Sequence, residues 1–139
     1  MVKGNVIQTN TSEYKMLKLK ISVIVPLASG EEDWRGLLKD LEYLSGGFEV
    51  LLVFSNESEK PKIDNLRLGK DVKILSAKSG RASQMNAGAD EAEGEYLWFL
   101  HADSRFDESV MPALLKAIEK EPNSLLFFDL AFIRGKFSL

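Results

Sequence analysis

The sequence predicts an α/β fold, a Rossmann-like, doubly wound and mostly parallel sheet. Three observations carry that expectation. Strand and helix patterns alternate from one end of the chain to the other. The strands read as continuous apolar runs, which implies a parallel sheet covered on both faces. A length of 139 residues with 45% hydrophobic content suits one soluble domain with a single core.

The elements follow in order. Met1 to Lys18 is polar and aperiodic and reads as a flexible arm, leaving residues 19–139 as the single domain. Leu19 to Leu27 is a β-branched run broken by Pro26, a buried strand. Asp33 to Ser45 carries Trp34, Leu37, Leu38, Leu41 and Leu44 at helical spacing, with Asp33 as N-cap and Gly46-Gly47 as terminator. Phe48 to Phe54 is a second apolar strand, followed by a polar loop from Ser55 to Pro61. Ile63 to Leu68 reads as a short helix and Asp71 to Ser76 as a short strand. Arg81 to Glu93 is a helix whose small face, Ala82, Met85, Ala89 and Ala92, suits close approach to a sheet. Glu95 to Leu100 is the most apolar strand and is expected to be the most buried. Glu108 to Lys120 is a helix with Pro112 in its first turn, and Ser124 to Ile133 a last strand.

Composition narrows the function. A net charge of −3 argues against a nucleic-acid partner, which calls for a basic stripe. With no Cys, disulfide and thiolate chemistry are excluded, and a reducing cytoplasm is compatible. The single His excludes a multi-histidine metal site. No apolar run reaches the roughly 18 residues of a transmembrane segment, and the N-terminus lacks a signal-peptide core. The expected location is cytoplasmic.

The chemistry concentrates in two stretches. Gly80-Arg81-Ala82-Ser83-Gln84-Met85-Asn86-Ala87-Gly88 opens a helix, and the strand after it runs into His101-Ala102-Asp103. Ligands of open α/β sheets bind beyond the carboxyl ends of the strands, where Asp103 should lie. Arg81 sits at a helix start, where a cation is disfavoured unless an anion is near. Together they point to a phosphorylated ligand and a metal. Each residue also has a structural alternative. Arg81 could pair with Glu57, Glu59 or a sheet-end carboxylate, and Asn86 could bond neighbouring backbone. His101 could be a hydrogen-bonded structural histidine, and Asp103 a turn residue with Ser104. Gly88 costs its helix about 1 kcal/mol relative to Ala, so close helix–sheet packing is its expected reason. One Asp and one His are too few donors for a tight protein-only site. Magnesium or manganese would need phosphates and water as further ligands. The aromatic residues Trp34, Trp98, Phe99, Phe127 and Phe128 read as core, and Phe54 as buried in the sheet.

These motifs resemble family-2 glycosyltransferases of the GT-A fold, in particular a bacterial subgroup with a Gly-Arg-Ala-x-Gln-Met-Asn-x-Gly-Ala block and a Phe-Leu-His-Ala-Asp motif. Here they read Gly80 to Ala89 and Phe99 to Asp103, and the strand Ile21 to Pro26 is similar as well. The resemblance runs from about Leu19 to Ile133. It implies a nucleotide-diphosphate sugar donor, Mg2+ or Mn2+, and a hydroxyl acceptor. On that resemblance Asp103 takes the last position of the family's Asp-x-Asp metal motif and His101 the first. Arg81, Asn86 and Pro26 are then the donor-facing residues.

Two departures stand against it. The Asp that holds the nucleobase at the end of the second strand is Phe54 here, followed by Ser55-Asn56-Glu57. The Asn-Glu expected after the first strand reads Ser29-Gly30-Glu31. On the same resemblance the family continues into an acceptor half that carries the catalytic base, so the chain is expected either to be a fragment or to lack that base. Glu31, Glu57 and Asp129 are the carboxylates available, with nothing to single one out. The expected function is inverting sugar transfer by a truncated member of the family. The alternative is a non-catalytic relative that binds a nucleotide or a protein. A nucleotidyltransferase is a weaker third reading, because only Gly30 and Gly36 lie where a phosphate loop would need glycines. Apolar surface left open by a truncated sheet leads to the expectation of a homodimer.

Overall fold

The computed structural model describes residues 21–42, 44, 47–57, 60 and 71–126. The arm, the helix read over residues 63–68 and the last strand beyond residue 126 lie outside them. The described elements are β1 (Ile21–Leu27), α1 (Trp34–Glu42), β2 (Phe48–Phe54), β3 (Asp71–Ser76), α2 (Arg81–Glu91), β4 (Tyr96–Phe99) and α3 (Val110–Lys120). The strands form one sheet in the order β3-β2-β1-β4, and every pairing is parallel. The fold is the α/β, Rossmann-like sheet that the alternating pattern predicts.

β1 and β2 are buried along their whole lengths, as apolar runs at the centre of a doubly covered sheet must be. On one face Ile21, Val23, Val25 and Leu27 of β1 join Phe48, Val50, Leu52 and Phe54 of β2 in a single core. Trp34, Leu37, Leu38 and Leu41 of α1 and Met111, Leu114 and Ile118 of α3 complete it. Each such side chain contributes about 1.5–3 kcal/mol when fully buried. On the other face Ile24, Leu51 and Val53 form a smaller core against Ala87, Ala89 and Ala92.

The helix boundaries have local causes. The Asp33 carbonyl accepts from the Gly36 and Leu37 amides (3.0 and 3.2 Å), which starts α1 where the cap was expected. Pro112 is the third residue of α3, where no helical amide is needed. α2 stops at Glu91, two residues before the expected end, because Ala92 is extended (φ −73°, ψ 137°).

Two expectations are corrected. α2 buries Gln84 and Gly88 against the sheet; of the expected small face Ala89 and Ala92 do pack against the core, whereas Ala82 is exposed. A Cβ on Gly88 would stand 2.5 Å from Ile24 Cγ2, so the glycine is there for close approach, as its cost implied. The second correction concerns β4, where only Trp98 is buried and Leu97 and Phe99 are 43% and 41% exposed. β4 pairs only with β1 among the described residues, and α2 lies over β1, β2 and β3 instead. Residues 124–126 are not strand.

The amino-terminal edge of the sheet holds a buried carboxylate that the apolar reading of β2 passed over. Glu49 is fully buried. Its Oε1 accepts from Ser22 Oγ (2.6 Å) and from the Glu93 amide (2.7 Å). Lys73 Nζ lies 3.1 Å from Glu49 Oε2 and 3.0 Å from Glu93 Oε1. The contact to Glu49 Oε2 is an ion pair without hydrogen-bond alignment. Ser22 Oγ accepts in turn from the Gly94 amide (2.8 Å), so the network ties the link between α2 and β4 to the central strands. Burial pushes the Glu49 carboxyl up, but Ser22, the Glu93 amide and Lys73 together hold it below its ordinary value.

Candidate functional site

The chain steps outward from β1 to β2 and β3, then returns to the far side of β1 for β4. The direction of winding therefore reverses between β1 and β4, and beyond the carboxyl ends at such a point open α/β sheets form their ligand crevice. The β1–β4 ladder ends with the Leu100 amide donating to the Ile24 carbonyl (3.0 Å). The next bond in a parallel ladder would need the amide of residue 26. That residue is Pro26, which has no N–H, so the strands stop pairing at the crevice. Pro26 itself is buried within β1.

α2 is fixed to this rim from below. Gln84 is buried, and its Nε2 donates to the Leu27 and Val53 carbonyls at 2.7 Å each. Its Oε1 accepts from the Gly80 amide (3.3 Å). One side chain thus joins the carboxyl ends of β1 and β2 to the first turn of α2. Gly80, at φ +133°, makes the turn into the helix with a backbone that other residues rarely adopt.

Arg81, the first residue of α2, is exposed and reaches the strand end opposite. Its Nη1 lies 3.0 Å from His101 Nε2 and also meets Nδ1. The two motifs are thereby brought together at one point. The partners weighed for Arg81 were carboxylates; Glu57 instead bonds Ser76 and Lys60, and Glu59 lies outside the described residues.

The segment carrying Asp103 is held on both sides. The Ser104 amide donates to the His101 carbonyl (3.0 Å), closing a turn with Asp103 in it. Ala102 is buried beneath, and Phe106 packs on Trp98 with ring centroids 5.6 Å apart. Arg105 Nη1 pairs with Asp40 of α1 at 3.3 Å and crosses over Gly36, where a Cβ would lie 2.5 Å from that nitrogen. Asp103 itself is exposed, with no hydrogen-bond or ion-pair partner among the described residues. Asn86 is likewise exposed and without a partner there. Five residues along α2, it is turned about 140° from Arg81, so the structure does not join it to the Arg81–His101 pair.

The remaining rim is less available. Phe54 closes β2 as a buried side chain, edge-on to Trp34 at 6.0 Å. Glu31 Oε2 accepts from the Ala28 amide (2.9 Å). Glu57 is bonded through both oxygens, to Ser76 and Lys60, which hold its carboxyl below the ordinary range. Asp129 lies outside the described residues.

Among the described residues no three His, Cys, Asp or Glu side chains are grouped to hold a metal. The donor set at the crevice is one uncommitted carboxylate, Asp103, beside a histidine already engaged by Arg81. That suits a hard cation that takes most of its ligands from phosphate and water.

Gln84 is the residue whose role the sequence reading missed. Its signal was a polar side chain at helical spacing from Gly88, on the face packed closest to the sheet. The family model for glycosyl transferase family 2 matches residues 22–138. No curated protein matches the chain. No helix among the described residues is long and apolar enough to cross a membrane.

Proposed function

The chain belongs to glycosyl transferase family 2, and from that premise we propose that it binds a nucleotide-diphosphate sugar at the crevice between β1 and β4 and transfers the sugar to a hydroxyl acceptor. The observation that carries this reading is the contact between Arg81 and His101, which brings the start of α2 to the segment that carries the uncommitted carboxylate Asp103. Arg81 contacts the donor phosphates. Asp103 is the protein ligand for Mg2+ or Mn2+, whose bound charge would offset the charge developing on the leaving diphosphate. In the inverting reaction the acceptor oxygen bonds to the anomeric carbon as the bond to the diphosphate oxygen breaks, and the acceptor proton passes to a base.

A second reading rests on Phe54. At the strand end where a nucleobase-holding Asp is expected, the side chain is apolar and only 4% exposed. A non-catalytic relative that binds a nucleotide or a protein without turnover fits that substitution.

The test is a thermal-shift screen of nucleoside diphosphates and their sugars, with manganese and with chelator. A ligand at 100 times its dissociation constant adds about 2.7 kcal/mol, a shift of a few degrees in a domain of this size. A metal-dependent shift that disappears in Asp103→Ala is the expected result. Binding without release of nucleotide from any sugar donor favours the second reading. No shift with any nucleotide removes the donor-site reading.

A further inference from the structure

Within that donor-site reading, we infer that His101 is the positioning residue for Arg81 rather than a ligand of the metal. The argument starts from hydrogen-bond roles. A guanidinium donates and never accepts, so the ring nitrogen that receives it must present its lone pair. A metal would need that same kind of lone pair from the imidazole. In this structure the Arg81 Nη1 lies within reach of both His101 nitrogens, at 3.0 Å from Nε2, so the imidazole and the guanidinium are in direct contact.

The choice of partner also matters for charge. Arg81 stands at the amino end of α2, where the helix field disfavours a cation. A carboxylate partner would fix the side chain but cancel its charge. A ring nitrogen that accepts from it fixes the side chain without adding a carboxylate's negative charge, and leaves the cation for an anion. His101 is itself fixed, because the Leu100 amide before it is bonded to β1 and Ala102 after it is buried. The two halves of the motif then divide the work. Asp103, without a partner among the described residues, serves the cation, and His101 aims the guanidinium at the phosphates.

The experiment uses the full chain with three probes: manganese alone, inorganic pyrophosphate in chelator, and a panel of nucleoside diphosphates in chelator. Manganese binding is followed by its paramagnetic resonance and anion binding by calorimetry. Manganese alone is expected to bind weakly and equally to the parent chain and to His101→Ala. Pyrophosphate affinity is expected to fall about tenfold in Arg81→Ala, the scale of one charged hydrogen bond. A smaller fall is expected in His101→Ala, with recovery in His101→Asn, which keeps an acceptor. In the Arg81→Ala background, His101→Ala should have no further effect. The inference is overturned if His101→Ala lowers manganese binding, or if its effect on pyrophosphate persists without Arg81. Pyrophosphate binding with this pattern, but no nucleoside diphosphate binding, removes the glycosyl-donor reading and keeps the pair. No pyrophosphate binding in chelator overturns the pair as an anion site.

Discussion

The two edges of the sheet treat polar groups in opposite ways. At the amino-terminal edge, Glu49 is fully buried, and Ser22, Lys73 and two loop amides are directed at it or at each other. At the carboxyl-terminal edge, Asp103 is exposed without a partner among the described residues, and Arg81 meets the ring of His101. Both edges bring together residues far apart in sequence. One uses its hydrogen-bonding capacity to hold the fold, and the other leaves it open. A charge at the first edge is therefore a statement about stability, and a charge at the second a statement about a ligand.

The sharpest way to break this contrast is to remove Glu49. Glu49→Ala strips the partner from Ser22 and from the Glu93 amide, and should cost about 3 kcal/mol in urea denaturation. The same network has a pH signature. Because the folded carboxyl is held below its unfolded value of 4.5, its stabilising effect is complete above that pH and is lost as the pH falls through the lower folded value. Glu49→Gln should remove that acid limb from the stability profile. An unchanged limb would show that other carboxylates cause it.

A middle-sized effect is expected where α2 meets the sheet. Gly88→Ala places a methyl 2.5 Å from Ile24 Cγ2, an atom held near the backbone of a buried strand. Overpacking of about 1–3 kcal/mol outweighs the roughly 1 kcal/mol gained by removing a helical glycine. A net loss near 1 kcal/mol is expected, and a gain in stability would mean that α2 slides freely over β1. The smallest effect belongs to the open edge. Asp103→Asn should change unfolding free energy by less than about 0.5 kcal/mol. A loss above 1 kcal/mol would place Asp103 among the structural residues and erase the contrast.

The same contrast explains what was legible in the sequence. The apolar runs of β1 and β2 could be read because strands buried on both faces cannot hide. Gly88 was legible because a glycine inside a helix needs a reason, and Phe54 because an aromatic at the end of such a run belongs with its neighbours. Glu49 was not, because its partners lie 27 and 44 positions away and nothing local announces them. An acid inside an apolar strand was nonetheless a signal, since a buried charge must be met somewhere. Gln84 was overlooked for the complementary reason: its partners are main-chain carbonyls, which no side-chain pattern reveals. The exposure of β4 depended on which strand stands at the edge, a property of winding order rather than composition. Both site motifs were visible as residues, but their meeting through Arg81 and His101 was not, since the two are 20 positions apart.

Pro26 gives the crevice a property that no loop could. The β1–β4 ladder ends because an imino acid stands where the next donor would be, so the boundary is written into covalent chemistry and not into a balance of conformations. Two neighbouring strands normally act like a zipper that can close one more tooth when conditions favour it. Here the tooth is missing, so β1 and β4 cannot extend their pairing by that bond, whatever the conditions.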